Sequence, residues 1–392
     1  MICIVTQYFN FNRILLLLVG LWPYQRTKLV CFQIILFFII LTSFIIFQFT
    51  AFITTECTPE FIIKVFSTAI FFSVCVIKYN CFWLNAHNIK YLLEQLQDTC
   101  NYLKDENETA IMEKYGNIAK YFTIISIVMS GVFVAILLPI ILRSQILNTD
   151  LHINESRQTV QFVTEYFVDQ EKYFYLISLH QNAAICIGAT TLTGTGTMIV
   201  GFVICACGMF KITSYRVEQA MTTKILENIN LENQSMFYKE IIDAVKIHRK
   251  AIKFCEFASS TFKNTFILLI IAGVISLSLN IYEIFQNILN GDKEAFLLYL
   301  LLTFTVLLYM FIANYGGQQV INHDNHVYST AYNNQWYNAP LYAQKLTLFI
   351  LLQGSKTCNL NIGGLIVASL ECFATLTKAS MSYFTVIYSM QF

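Results

Sequence analysis

The stretch Ile362-Gly-Gly-Leu-Ile-Val-Ala-Ser-Leu-Glu-Cys-Phe-Ala-Thr-Leu-Thr-Lys-Ala-Ser-Met-Ser-Tyr-Phe-Thr-Val-Ile-Tyr-Ser-Met-Gln-Phe392 is strongly apolar, yet one polar stripe runs along it. Glu371, Thr375, Lys378, Ser382, Thr385 and Ser389 recur at alternating intervals of four and three residues. That spacing places all six on one face of an α-helix. In a water-soluble protein this face would be the solvated one. Here the rest of the chain points to lipid: of 392 residues, 56% are hydrophobic and only 12% charged, against about 25% charged in soluble domains. A carboxylate and an ammonium facing hydrocarbon are costly. The stripe must therefore face protein or a water-filled cavity, which implies a permeation path.

Several apolar runs exceed the roughly 18 residues that mark a membrane helix. The chain is expected to be an all-α polytopic membrane protein, a single seven-transmembrane unit over residues 1–392. Expected spans lie at 30–53, 61–83, 121–142, 176–210, 264–288, 296–314 and 362–390. Residues 1–29 form a cytoplasmic N-terminus, in which Ile14 to Trp22 reads as an interfacial or re-entrant helix. The run follows Arg13 as a signal peptide would, but Trp22-Pro23-Tyr24 replaces a small-residue cleavage site. Residues 315–361 form an intracellular anchor segment. Within it Leu341 to Leu352 is too short to cross a bilayer and reads as a buried helix. Residues 362–392 carry the last span.

Basic residues orient the spans. Arg13, Arg26 and Lys28 flank the first span, and only Glu56 follows it. The second connection holds Lys90, Lys104, Lys114 and Lys120; the third is acid-rich, with Asp150, Glu155, Glu165, Asp169 and Glu171 beside Arg143, Arg157 and Lys172. The fourth carries Arg216, Lys224, Lys239, Lys246, Arg249, Lys250 and Lys253. This alternation expects the N-terminus inside and the C-terminus outside. The sequon at Asn154 then falls outside, a candidate for glycosylation, while those at Asn107 and Asn233 fall inside. The same orientation argues against a G-protein-coupled receptor, whose N-terminus is outside.

The inside connections carry amphipathic periodicity: Ile89, Leu92, Leu93, Leu96 and Leu103, then Ile241, Ile242, Val245, His248, Ile252 and Cys255. These expect a packed helical layer beyond the membrane. The 12 cysteines are scattered, mostly within apolar spans, and read as small buried hydrophobes rather than a disulfide framework. The chain has no glycine-rich phosphate loop, HExxH, GxSxG or paired-cysteine zinc spacing, so neither an enzyme nor a cofactor is indicated. A net charge of +1 gives no long-range field for nucleic acid. His323 and His326, beside Asp324, read as a solvated loop, and Lys64 and Lys78 near the ends of the second span are expected to snorkel.

Four segments carry a family resemblance. Gly20-Leu21-Trp22-Pro23 precedes the first span. Asn314-Tyr315-Gly316, Ala331-Tyr332, Trp336-Tyr337 and Pro340 follow the sixth in order. The last span contains Glu371-Cys372-Phe373, Lys378-Ala379-Ser380 and Ser382-Tyr383-Phe384-Thr385-Val386, and closes on Ser389-Met390. In these the chain resembles the insect odorant receptors, odorant-gated cation channels of inverted seven-helix topology. The resemblance implies a tetramer in which an odorant-tuned subunit assembles with an odorant co-receptor, in the plasma membrane of sensory neurons, around a pore lined by the last helix. It also implies a hydrophobic gate at Val386 with Thr385 as its polar neighbour. A valine ring can gate by dewetting, with hydroxyls beside it replacing part of an ion's hydration shell. The other reading open to Thr385 and Ser382 is hydrogen bonding to neighbouring helices. Lys378 and Glu371 form either charged rings, the Glu371 ring favouring cations, or inter-subunit salt bridges. Tyr388 stands where many odorant-tuned members carry a basic residue.

A small volatile odorant calls for an apolar, aromatic pocket with few polar groups. By resemblance it lies among the outer halves of spans two, three, four and six. There the candidates are Ser67, Ile70 and Phe71; Gly131, Ala135 and Leu138; Tyr175 and Ile185; and Tyr299, Thr303 and Phe304. A gustatory receptor channel, and less so a transporter, are the rival readings. An epitope placed after Phe392 is expected to stain intact cells; staining only after permeabilisation would reverse the orientation.

Overall fold

The computed structural model describes residues 7–103, 105–150, 162–169, 172–221, 231–334, 336–338, 341–354, 358–362, 364 and 366–390. Eleven α-helices carry the described architecture: α1 (Asn10–Leu18), α2 (Lys28–Phe49), α3 (Ala51–Thr54), α4 (Pro59–Leu84), α5 (Ala86–Tyr102), α6 (Glu106–Asp150), α7 (Phe174–Ala220), α8 (Leu231–Asn290), α9 (Lys293–Asn333), α10 (Leu341–Gly354) and α11 (Leu370–Ser389). A two-stranded antiparallel hairpin, β1 (Asn361–Ile362) and β2 (Ile366–Val367), precedes α11. Asn154 lies outside the described residues.

Among the described residues, six helical segments are long and apolar enough to cross a membrane: Lys28–Thr54, Pro59–Leu84, Glu106–Pro139, Phe174–Ala220, Lys239–Asn290 and Lys293–Asn333. Their starts follow local chemistry. The Thr27 hydroxyl accepts the Val30 N–H at 3.3 Å, and Thr58 accepts that of Phe61 at 3.3 Å just ahead of Pro59. Both are N-caps that satisfy an otherwise orphaned amide. Between α8 and α9 the chain reverses in two residues. Gly291 takes a positive φ of 72°, open to glycine at little cost, and Asp292 caps α9 through the Glu294 and Ala295 amides, both at 3.1 Å.

Several helices run well past a bilayer. At 1.5 Å per residue α8, with 60 residues, is about 90 Å long against a hydrocarbon core of about 30 Å. The excess of α7, α8 and α9 joins α5 and α10 in a helical layer at one end of the bundle. Its core contains most of the amphipathic positions read from sequence, with Ile89, Leu92, Leu93, Leu96 and Ile241 fully buried, whereas Val245 is exposed.

Polar anchors knit this layer. Arg216 on α7 forks onto Glu108 of α6: Nε donates to Oε1, and Nη2 to Oε2 at 2.7 Å. Its Nη1 donates to the Asp243 carbonyl of α8 at 3.0 Å. Asp324 of α9 accepts the Cys358 N–H at 2.7 Å and lies 2.8 Å from His248 Nε2 of α8.

The structure revises several expectations. His323, Asp324 and His326 are on α9 rather than in a solvated loop. Asp324 is 1% exposed, while His323 meets the Tyr115 hydroxyl and His326 that of Ser214. Helix α10 forms as expected but is not buried: Ile350 and Thr347 face the layer, whereas Leu348, Phe349 and Leu352 are exposed. The last span starts at Leu370, not residue 362. The hairpin intervenes, and Ser369 caps the new helix by accepting the Cys372 N–H at 3.2 Å. Lys78 does not snorkel; it is 3% exposed. Cys31 and Cys186 lie on the outer surface rather than in the core.

One face of helix α1 packs into the bundle, while Ile14 and Leu18 on the other stay exposed. Asn12 is buried, donating to Thr197 Oγ1 of α7 at 2.8 Å and accepting from Thr123 of α6. The Gly-Leu-Trp-Pro segment ends it: Gly20 adopts φ +75° and the Leu21 N–H returns to the Leu16 carbonyl at 2.7 Å. Such a left-handed residue closes a helix C-terminus. Tyr79 of α4 clamps the turn by donating to the Val19 carbonyl.

Arg216→Met strands a buried carboxylate and is expected to cost about 3–5 kcal/mol. Restoring neutrality with Glu108→Leu in the same chain should recover most of it. Thermal unfolding of the two single variants and the double variant checks this; additive losses would contradict it.

Candidate functional site

Two features stand out: an apolar cavity inside the bundle, and the outward face of α11. The cavity has a volume of about 660 Å³ and lies among α4, α6, α7, α8 and α9, reaching the hairpin at Ile362. Aromatic and aliphatic side chains make most of its wall, including Phe72, Phe133, Phe262 and Leu301. A volume of this size suits a small apolar ligand.

The sequence candidates divide around it. Phe71, Ile185 and Phe304 line the cavity. Ser67 is buried between helices, donating to Asn280 Oδ1 of α8 at 2.5 Å, so its hydroxyl joins α4 to α8. Ile70 lies outside the wall, as do Gly131, Ala135 and Leu138 on α6. Tyr175 is 84% exposed. Tyr299 and Thr303 are buried beside the cavity without lining it.

Sequence reasoning missed most of the α7 wall. Gly188, Ala189, Leu192, Thr193, Gly196 and Thr197 all contribute. The signal was the run Gly-Ala-Thr-Thr-Leu-Thr-Gly-Thr-Gly-Thr at 188–197, where small side chains leave volume that neighbouring helices do not fill. At Gly196 the approach is especially close: a Cβ there would collide with the Tyr309 hydroxyl. Lys78 and Tyr309 also line the cavity and were not anticipated there.

The second feature follows from how α11 docks. Gly317 of α9 admits the Ala368 carbonyl in close contact, and Asn314 Oδ1 accepts the Ser369 N–H at 3.3 Å. These contacts give a physical role to the Asn-Tyr-Gly-Gly segment: it seats the hairpin and the start of α11 on α9. One face of α11 then packs inward. Phe373 meets Phe311 and Phe384 meets Phe285, with ring centroids 5.5 and 5.4 Å apart. The Ser380 carbonyl accepts from Ser278 at 3.0 Å.

All six stripe residues lie on the opposite, exposed face of the chain, together with Val386 at 53% exposure. Thr375, Ser382, Thr385 and Ser389 donate to carbonyls of their own helix. Their hydroxyl oxygens keep acceptor capacity directed outward. Glu371 and Lys378 form no ion pair with any described residue. With 20 residues, α11 is about 30 Å long, enough to span the hydrocarbon core.

A nearly all-helical, multi-pass membrane protein with an apolar cavity between its helices and a polar outward helix defines the class. The sequence narrows it: residues 58–381 match the family model of the 7tm odorant receptors, and the chain belongs to that family. It is an odorant receptor. The fold is similar to the insect olfactory receptor OR5 from Machilis hrabei solved in complex with eugenol, with a TM-score of 0.79, 12% identity and 98% of each chain covered. A second structure of that receptor matches with a TM-score of 0.76 and the same identity and coverage. No curated protein sequence matches the chain.

Proposed function

We propose that this receptor is the odorant-binding subunit of a heteromeric, ligand-gated, non-selective cation channel. It assembles with an odorant co-receptor as a tetramer in the plasma membrane of sensory neurons, N-terminus inside and C-terminus outside. One observation carries the reading: the six polar residues of α11 all point away from their own chain. In lipid that face needs partners, because a hydrocarbon-facing Glu371 or Lys378 is costly. Helices of this kind arranged around an axis bring the stripes together and enclose water. A ring of Val386 side chains then forms the dewetting gate, bordered by Thr385 and Ser382, with Ser389 toward the outer mouth. Glu371 at the opposite end favours cations.

The anchor segment, residues 315–361, supplies the contacts between subunits. The exposed apolar side chains of α10, Leu348, Phe349 and Leu352, are of the kind that such an interface buries. The cavity receives the volatile ligand, a reading supported by its volume and apolar wall, and by the small phenolic ligand named for the similarly folded OR5. Odorant drives opening only as far as it binds the open arrangement more tightly than the closed one.

Val386→Ala is expected to raise basal current several-fold, and Glu371→Gln to lower the preference for cations over anions. Whole-cell recording with the co-receptor checks both. Unchanged basal current together with unchanged selectivity would remove α11 from the pore.

A further inference from the structure

Lys78 is out of place for a membrane lysine. It is 3% exposed, whereas lysines in spans pair with acidic groups or reach an interface. No described residue offers its Nζ a hydrogen bond or a carboxylate. Its close neighbour is the ring of Tyr309, with Nζ 3.6 Å from the centroid. A π face compensates a desolvated ammonium only in part. The Tyr309 hydroxyl is itself buried without a hydrogen-bond partner.

Both groups line the large cavity. Most other hydroxyls in its wall are already committed: Ser126, Thr193, Thr197 and Thr305 each donate to a carbonyl of their own helix, and Ser259 donates to the Asn361 carbonyl. Lys78 and Tyr309 are thus two buried donors at one spot in an otherwise apolar chamber. A ligand that completes them accepts hydrogen bonds, and a negative charge on it holds Lys78 as the ammonium. Alcohols, esters and aldehydes offer acceptor oxygens but leave the ammonium without a counter-charge. A carboxylate supplies the charge and two acceptor oxygens.

We propose that Lys78 and Tyr309 form a carboxylate subsite, so that the ligands of this cavity include volatile carboxylic acids whose hydrocarbon tails lie against its apolar wall. This rests on the reading of the cavity as the odorant site and adds the chemical class. A site built around a buried donor discriminates strongly against analogues that leave it unpaired.

The test is equilibrium binding of radiolabelled octanoic acid to the purified full chain in nanodiscs, with displacement by unlabelled octanoic acid, methyl octanoate, 1-octanol and octanal. Octanoic acid should bind at least about tenfold more tightly than the ester or the alcohol. Lys78→Met should erase that preference while leaving methyl octanoate affinity within roughly threefold, and Tyr309→Phe should weaken the acid selectively. Tyr309→Phe retains the ring, so it decides the matter if Lys78→Met fails to fold. An unchanged acid-to-ester ratio in the variants overturns the subsite. So does tighter binding of octanal that borohydride makes irreversible, since Lys78 would then serve as an imine-forming amine. Binding is read independently of conduction: a chain that binds the ester but not the acid loses only the subsite. A chain that binds none of the four probes in the cavity loses the odorant reading as well.

Discussion

Hydrocarbon does not solvate polar side chains, and the architecture depends on how this chain meets that constraint. Many polar groups that fall between its own helices are joined to one another: Ser67 with Asn280, Thr68 with Gln48, Asn12 with Thr197 and Thr123. Where charges are buried together, they fork, as Arg216 does onto Glu108. Among the polar groups left without a partner in the described residues, two places bear on function. One is the outward stripe of α11; the other is the Lys78–Tyr309 pair in the cavity. The first calls for other subunits and the second for a ligand, so both unmet demands lie where a receptor must interact with something beyond itself.

The two features are held apart yet linked through the same helices. The cavity takes walls from α8 and α9, and these are also the helices on which α11 packs. Asn314 and Gly317 seat the hairpin and the start of α11, while Leu308, Tyr309, Ile312 and Gly316 of the same helix face the cavity. A ligand that alters the packing of α9 has a short mechanical route to α11. Packed cores convert small shifts into discrete rearrangements because they are not continuously deformable.

Much of the fold was legible because lipid simplifies the code. Apolar run length located six of the spans, and the 3.6-residue period exposed both the stripe of α11 and the amphipathic positions of the helical layer. What failed was what depends on tertiary partners. The loop expected around His323 is helix, since Tyr115, Ser214 and His248 supply the contacts that polar residues on a helix need, and none is near in sequence. Lys78 was expected to snorkel because its position near a span end says nothing of Tyr309, which arrives from α9. Most of the α7 wall was overlooked because small residues announce absence of volume rather than presence of chemistry. The hairpin strands read as membrane span because Ile362, Ile366 and Val367 are apolar; only the Ser369 cap marks the true helix start.

The central claim is that the stripe of α11 faces water in the assembled channel while its Phe384 face is packed. Single cysteines placed at Ser382, Thr385, Ser389, Ser380 and Phe384 and challenged with a charged, membrane-impermeant thiol reagent during odorant application test it directly. The account predicts reaction and block of current at Ser382, Thr385 and Ser389, with Ser380 and Phe384 protected. Equal reactivity on both faces, or modification confined to Ser380 and Phe384, would contradict it.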